Sequence, residues 1–554
     1  MTAEYDRLSA QYRQEVNNKL NITFNDVSLD QFPPGSDVQL AAEPLLTPRQ
    51  LDITRMDATE LLRQIHTRQV TAVEALTAFG IRTIVAHKLT CCLTDFFLED
   101  ALVEARALDA HLERTGQVLG PLHGLPISAK DQVALKGRIT STGFLSLHVN
   151  AKPEQDDCLL AQALKDSGAI FFNHTTLPQT IMHLESSSFW TGPIGTRNPC
   201  NTNLSAGGSS GGEGAVLSMR GALIGIGTDI GGSVRSPAAA CGLYGLRPTA
   251  LRIPGVATYK YGRESIMGTA GPLAHSLRDI ELFMATVLGD EQKLWERDPN
   301  IVEMPWRYGR KGEWQDRSRK LRIGVMWDDG EVRPTKPIQR ALESVVDRLK
   351  RSGAVEIKEF EAYGTREAWY LARELYFPDA GRRIRDLTVD SEVQEPLHSL
   401  TAWLLEEGGP PLQEKSVGEV WEMTARRDAF RKRYRRHWMD QHVDVVLCPN
   451  APYPAPPHNT AKWWAYTSHF NVVDHPAVTF PTGLTVSDEL DALSDEELGA
   501  FQARNKDEAI AHGNYSPQAY KNAPLCLQLV ARRFHDEELL DALKVIEEEL
   551  GRLS

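Results

Sequence analysis

Between residues 207 and 233 the chain twice gives up its side chains. GGSSGGEGA at 207–215 puts five glycines and two adjacent serines into nine positions, and from residue 225 the chain continues GIGTDIGGSVRSPA. Glycine is costly in conformational entropy, so two such loops so close together imply backbone packed where no Cβ fits, or amide hydrogens converging on one point. A phosphate loop would need a lysine and then Ser or Thr after its last glycine; Glu213 follows Gly212, and Gly225-Ile226-Gly227 lacks the third glycine of the dinucleotide fingerprint. Gly208, Ser210 and Gly212 satisfy G-x-S-x-G, but a nucleophile elbow needs a strand directly before it, and Asn198-Pro199-Cys200-Asn201-Thr202-Asn203 is polar and turn-rich without a period-2 apolar pattern. The reading that remains is one acyl-transfer site built by both loops, one offering a nucleophile and N–H donors, the other a proton relay.

A serine nucleophile needs a base within hydrogen-bond reach. None of the sixteen histidines sits in a glycine-rich or turn context that points to catalysis. A lysine serves if burial lowers its pKa until the neutral amine exists near neutral pH. Lys130 ends the apolar approach Pro126-Ile127-Ser128-Ala129, although on spacing alone an ordinary lysine at a strand end remains the alternative. In Thr228-Asp229-Ile230-Gly231-Gly232-Ser233 the successive glycines permit a tight turn whose amides face one point, suited to the negative oxygen of a tetrahedral intermediate, with Ser233 as the attacking residue. A plain turn joining helix and strand accounts for the glycines but not for two serine-bearing loops together.

At 554 residues and 42% hydrophobic composition the chain is long enough for one large enzyme domain, and no Pro/Gly/Ser-rich linker divides it. A formal charge of -13 argues against nucleic acid as a partner; the basic run Arg431, Lys432, Arg433, Arg435 and Arg436 reads as one exposed helix. The first thirty residues show neither a signal-peptide core nor a membrane span, which sets the expectation of a cytoplasmic protein. The seven cysteines, at 91, 92, 158, 200, 241, 448 and 526, read as buried thiols rather than a disulfide framework. The sequons at Asn21, Asn173, Asn203 and Asn514 then read as chance matches, and no metal motif is present.

Residues 57–113 carry helical spacing, as do 158–167, 215–220 and 338–349, while 169–172, 323–327, 443–447 and 525–530 are short apolar runs of strand character. Their alternation along the whole length predicts one intertwined α/β domain, with a central mixed β-sheet covered by helices on both faces. The acidic stretch 487–497 reads as a solvated insertion. Phe189-Trp190 and Trp463-Trp464-Ala465-Tyr466 are candidates for an aromatic pocket, although such clusters are more often core or rim packing, so substrate-binding residues are left unassigned.

The two loops together resemble the signature of the amidase signature family, and Gly124-Leu125-Pro126-Ile127-Ser128-Ala129-Lys130-Asp131 resembles its lysine segment. Leu177-Pro178-Gln179-Thr180, Gly271-Pro272-Leu273-Ala274 and Leu527-Gln528-Leu529-Val530 extend the likeness over most of 55–545, and the helical region 71–116 looks most like the fungal acetamidase-like branch. The resemblance implies a catalytic domain at 56–545 with variable insertions around 290–320 and 485–520, a helical arm at 1–55 and a tail at 546–554. It implies a Ser-cisSer-Lys triad in which Ser233 is the nucleophile, Ser209 the bridging serine after a cis peptide, and Lys130 the base. Amides of Ile230, Gly231, Gly232 and Ser233 would form the oxyanion hole, with Ser210, Asp229 and Arg235 supporting the loops. The expected activity is hydrolysis of a small-molecule amide through an acyl-enzyme, without cofactor or metal. Acyl transfer to an amine, or the amidotransferase subunit that feeds ammonia to aminoacyl-tRNA, uses the same triad; the acidic balance disfavours the latter. Whether the chain forms a homodimer is left open.

Overall fold

The computed structural model describes residues 3–20, 28–256, 262, 264–307 and 319–552. In chain order the strands are β1 Leu93–Phe96, β2 Pro126–Lys130, β3 Ile170–Thr175, β4 Arg197–Asn198, β5 Asn201–Ser205, β6 Ile224–Asp229, β7 Tyr244–Arg247, β8 Thr269–Ala274, β9 Leu321–Val325, β10 Val355–Glu359, β11 Val445–Pro449, β12 Ala477–Thr485 and β13 Pro524–Val530. Eleven of them make one sheet in the order β1-β3-β2-β6-β8-β7-β12-β13-β11-β9-β10, and β4 pairs with β5 apart from it. The sheet is mixed. β2 runs parallel between β3 and β6, and β9 runs parallel between β10 and β11. The steps from β6 through β8, β7, β12 and β13 to β11 are antiparallel. Strands from the two halves of the chain meet where β7 pairs with β12, so no cut in sequence separates two cores.

Helices flank this sheet and bury their apolar stripes on it, Leu98–Thr115 against β3, Arg235–Cys241 against β7, β12 and β13, and Lys336–Ser352 against β10 to β13. Local sequence sets their ends. Thr71 and Glu74 close a capping box at the start of Ala72–Thr90, and Gly116 stops Leu98–Thr115 in the left-handed conformation. The helix Gly211–Ser218 opens directly from the first glycine loop, somewhat earlier than the apolar run at 215–220 suggests.

Several boundaries differ from the sequence reading. The run 57–113 is interrupted by β1, whose four residues are too few for their period to stand out from the helices beside them. The polar stretch before Gly208 contains β5, a strand carried by a two-stranded pair rather than by an apolar face. Residues 546–552 are no loose tail, because Asp536–Glu549 runs through the expected boundary and Leu550 is buried. Asp491, in the stretch read as solvated, is fully buried against Arg340. Within the arm at 1–55 the helix Ala3–Lys19 is docked, with Tyr12 edge-on to His148 at 4.3 Å and Arg13 donating to the Phe189 carbonyl at 2.7 Å. Residues 1–2 and 21–27 of the arm, Asn21 included, residues 308–318 of the 290–320 insertion and residues 553–554 lie outside the described residues.

Arg247, at the end of β7, is fully buried and bound to Asp474 at 2.6 Å, and the same carboxylate accepts the Ala250 amide at 3.0 Å. Removing one partner of a buried pair strands the other charge, at about 3–5 kcal/mol. Asp474→Ala is expected to lower the unfolding free energy by that order, whereas an unchanged value in equilibrium denaturant unfolding would contradict the assignment.

Candidate active site

β2 carries its apolar run into the sheet and ends on Lys130, whose side chain is fully buried. Lys130 Nζ donates to Ser209 Oγ at 2.6 Å and to Thr228 Oγ1 at 3.0 Å, and the Thr228 hydroxyl donates onward to Gln132 Oε1 at 3.0 Å. The Gly208–Ser209 peptide is cis. Ser186 Oγ donates to the Ser209 carbonyl at 3.2 Å and accepts the Gly211 amide at 2.8 Å, which holds the first loop against the body. Ser210 joins the two loops: its amide donates to the Ser233 carbonyl at 3.1 Å, and its Oγ accepts the Thr228 amide at 3.3 Å.

The second loop is organised by Asp229 at the end of β6. Its carboxylate accepts the Gly232 amide at 2.8 Å, the Val234 amide at 3.2 Å, two N–H groups of Arg235 at 3.0 and 3.1 Å, and Asn471 Nδ2 at 2.9 Å. Burial pushes this carboxyl up, but Arg235, Asn471 and Arg247 outweigh it and hold it well below the usual range. Tyr376 Oη donates to the Ile230 carbonyl at 2.6 Å and Thr467 Oγ1 to the Gly231 carbonyl at 2.7 Å, so both carbonyls of the turn are spoken for. Gly232 has φ +125°, and a Cβ there would collide with Thr467 Oγ1. Of the four amides named from sequence, that of Gly232 is therefore committed to Asp229. Among the described residues those of Ile230, Gly231 and Ser233 have no protein acceptor.

Ser209 and Ser233 open together onto a cavity of about 330 Å³. Its wall is aliphatic, with Ile181, Met182, Leu251, Ile253 and Ile266, and Asp298 and Asn300 from the 290–320 segment add polar groups. The aromatic clusters lie elsewhere, as core packing accounts for them. Trp463 Nε1 donates to Asp329 at 2.7 Å, Trp464 packs on Trp369 and Trp403, and Phe189 and Trp190 pack around Tyr12 and His148.

Burial lowers the Lys130 amine to about 7, against the opposing pull of Asp229, Glu213 and Asp131. At neutral pH a substantial share is neutral, as a base requires. Among the residues not singled out from sequence, Thr228 and Gln132 continue the lysine's hydrogen-bond chain and Ser186 docks the loop. Thr228 adjoins Asp229 in the glycine loop and Gln132 lies two residues beyond Lys130, so adjacency was the available signal. Tyr376, Thr467 and Asn471 carry none, since they reach the turn only through the fold. No group of three or more His, Cys, Asp or Glu suited to a metal ion occurs among the described residues, all seven cysteines are free, and no described helix is long and apolar enough to cross a membrane.

Comparison with known proteins adds an independent line. The chain is 33% identical to an acetamidase of Aspergillus oryzae over 99% of both sequences, and 34% identical to an acetamidase of Emericella nidulans over 92% of this chain and 91% of that one. Among solved structures, a fatty acid amide hydrolase superposes with a TM-score of 0.90 at 36% identity, covering 98% of this chain and 95% of that chain. A family model, Amidase, matches residues 74–540. The chain belongs to the amidase family and is a hydrolase acting on amide C–N bonds.

Proposed function

We propose that the chain hydrolyses a carboxylic amide to an acid and ammonia or an amine through an acyl-enzyme on Ser233. The observation that carries the reading is the 2.6 Å contact between buried Lys130 and Ser209, on the wall of a cavity that Ser233 shares. Neutral Lys130 takes a proton from Ser209 as Ser209 takes one from Ser233, whose Oγ attacks the carbonyl carbon. The tetrahedral oxygen is met by the amides of Ile230, Gly231 and Ser233, each such donor being worth about 3 kcal/mol in this role. As the C–N bond breaks, the proton on Lys130 returns through Ser209 to the departing nitrogen. Water then attacks the ester carbonyl, giving a proton to the same relay, and the relay returns that proton to Ser233 Oγ as the acyl C–O bond breaks and the acid leaves.

Asp229 and Arg235 act through the turn they shape. The aliphatic wall suits a small aliphatic or aryl amide, and a panel of acetyl, aryl and longer-chain amides ranked by kcat/KM tests that substrate class.

A fluorophosphonate probe is expected to label Ser233, since an activated serine beside convergent amides reacts with it; peptide mapping to Ser210 or another serine would overturn the assignment. Ser209→Ala is expected to lower kcat by about 10²- to 10⁴-fold. Combined with Lys130→Ala it adds little more, because members of one relay fail as a unit; strictly multiplicative losses would mean that the two act separately.

The pH dependence follows from a base that works when unprotonated. With Lys130 near 7, kcat/KM is expected to fall as pH drops below about 7 and to level off above it. Lys130→Ala should lose that acidic limb along with most of the rate. A limb retained at reduced amplitude would assign the base to another group.

A further inference from the structure

Glu213 is a fully buried acid that the relay does not use, in the helix Gly211–Ser218 that opens behind Ser209. Ser128 Oγ donates to its Oε2 at 2.5 Å and Thr175 Oγ1 to its Oε1 at 2.6 Å. Both clamps flank the catalytic lysine. Ser128 lies two residues before Lys130 on β2 and so shares its face of the sheet, and Thr175 is the direct neighbour of Lys130 across the β2–β3 ladder. The third strand leaves the space: Gly225, paired with Ser128 in β6, stands where a Cβ would run into Glu213 Oε2. Three adjacent strands thus shape one compartment for a carboxylate beside the lysine.

We propose that Glu213 is a positioning residue for the reaction, a buried counter-charge that acts through Lys130 to set the pH at which the relay switches on. The inference rests on the reading of Lys130 as the base. Three acids bear on Lys130, and they are held differently. Asp229 is committed to Arg235 and Asn471, and Asp131 accepts the Ser141 and Thr142 amides and the Ser141 hydroxyl. Glu213 has only neutral hydroxyl donors, and among the described residues no ion pair reaches it. The other titratable group facing it is the buried thiol of Cys92. Its charge is therefore answered by Lys130 alone. Burial pushes the Glu213 carboxyl up to about 7, against the pull of Ser128, Thr175 and Lys130, so acid and amine exchange protonation in the same pH range. The ionised carboxylate favours the ammonium form and moves the onset of activity to higher pH. The neutral carboxyl releases that hold.

The test is the pH profile of kcat/KM in the full-length enzyme, with wild type and Lys130→Ala as references. Glu213→Gln keeps the shape and removes the charge, and the acidic limb is expected to move about one unit to lower pH, the size of effect a nearby buried charge exerts. A merely structural role lowers the rate and leaves the limb in place; an unmoved limb, or one displaced to higher pH, overturns the proposal. If Glu213→Gln does not fold, Ser128→Ala and Thr175→Val are read in its place. Each removes a donor that stabilises the charged carboxylate, so each is expected to shift the limb in the same direction by less, and no shift in either has the same negative meaning. A wild-type profile without the limb, or a limb surviving in Lys130→Ala, instead overturns the reading of Lys130 itself.

Discussion

Asp229 is an anion taken out of water, and five protein N–H groups stand in for the solvent it lost. Two belong to the turn it precedes, two to Arg235 at the head of the following helix, and one to Asn471 in the helix Ala465–Val472. Arg235 reaches on to Gln528 of β13 at 3.2 Å, and Gln528 Nε2 donates to the carbonyls of Pro449 and Tyr466 at 2.8 and 2.7 Å. One carboxylate thus fixes the turn that presents Ser233 to strands and helices drawn from both halves of the chain. Loss of either ionic partner would leave the other buried and unpaired, at a cost of about 3–5 kcal/mol.

Five buried acids of this protein fall into two groups for one electrostatic reason. Burial raises each of the five, and only a well-placed cation outweighs it. Asp229, with Arg235, is held well below the usual range, whereas Glu213, Glu185, Asp329 and Glu395 are pushed up to about 7. The last four accept from hydroxyl, amide or indole donors. Near the site this difference has a consequence. The turn is fixed by an acid whose charge does not change in the working range, while the lysine is faced by one whose charge does.

Segments outside the two loops complete the site. Residues 298–301 bring Asp298, Asn300 and Ile301 to the cavity. The cavity wall itself comes from stretches far apart in sequence, so its aliphatic character is a property of the assembled fold.

The sequence alone determined the α/β class and the residues where chemistry gathers. Apolar runs alternate with helical periods, and glycine, serine and the approach to Lys130 occur in short contiguous motifs that local reading can find. Lys130 and Ser233 stand out as candidates in such motifs by their own chemistry, whereas the roles of Ser209, Ser210, Asp229 and Arg235 come from the resemblance to the amidase signature. What only the tertiary structure decided were the contacts made across sequence. These are the 2.6 Å approach of Lys130 to Ser209, the commitment of the Gly232 amide to Asp229, the carbonyls held by Tyr376 and Thr467, and the clamping of Glu213 by Ser128 and Thr175. Strand β1 and the burial of Asp491 escaped for the same reason: a four-residue strand has too short a period to announce itself, and an acidic residue gives no local sign that an arginine 151 positions away will bury it. Periodicity and motif are written along the chain, whereas burial, pKa and hydrogen-bond partners depend on which distant segments the sheet brings side by side.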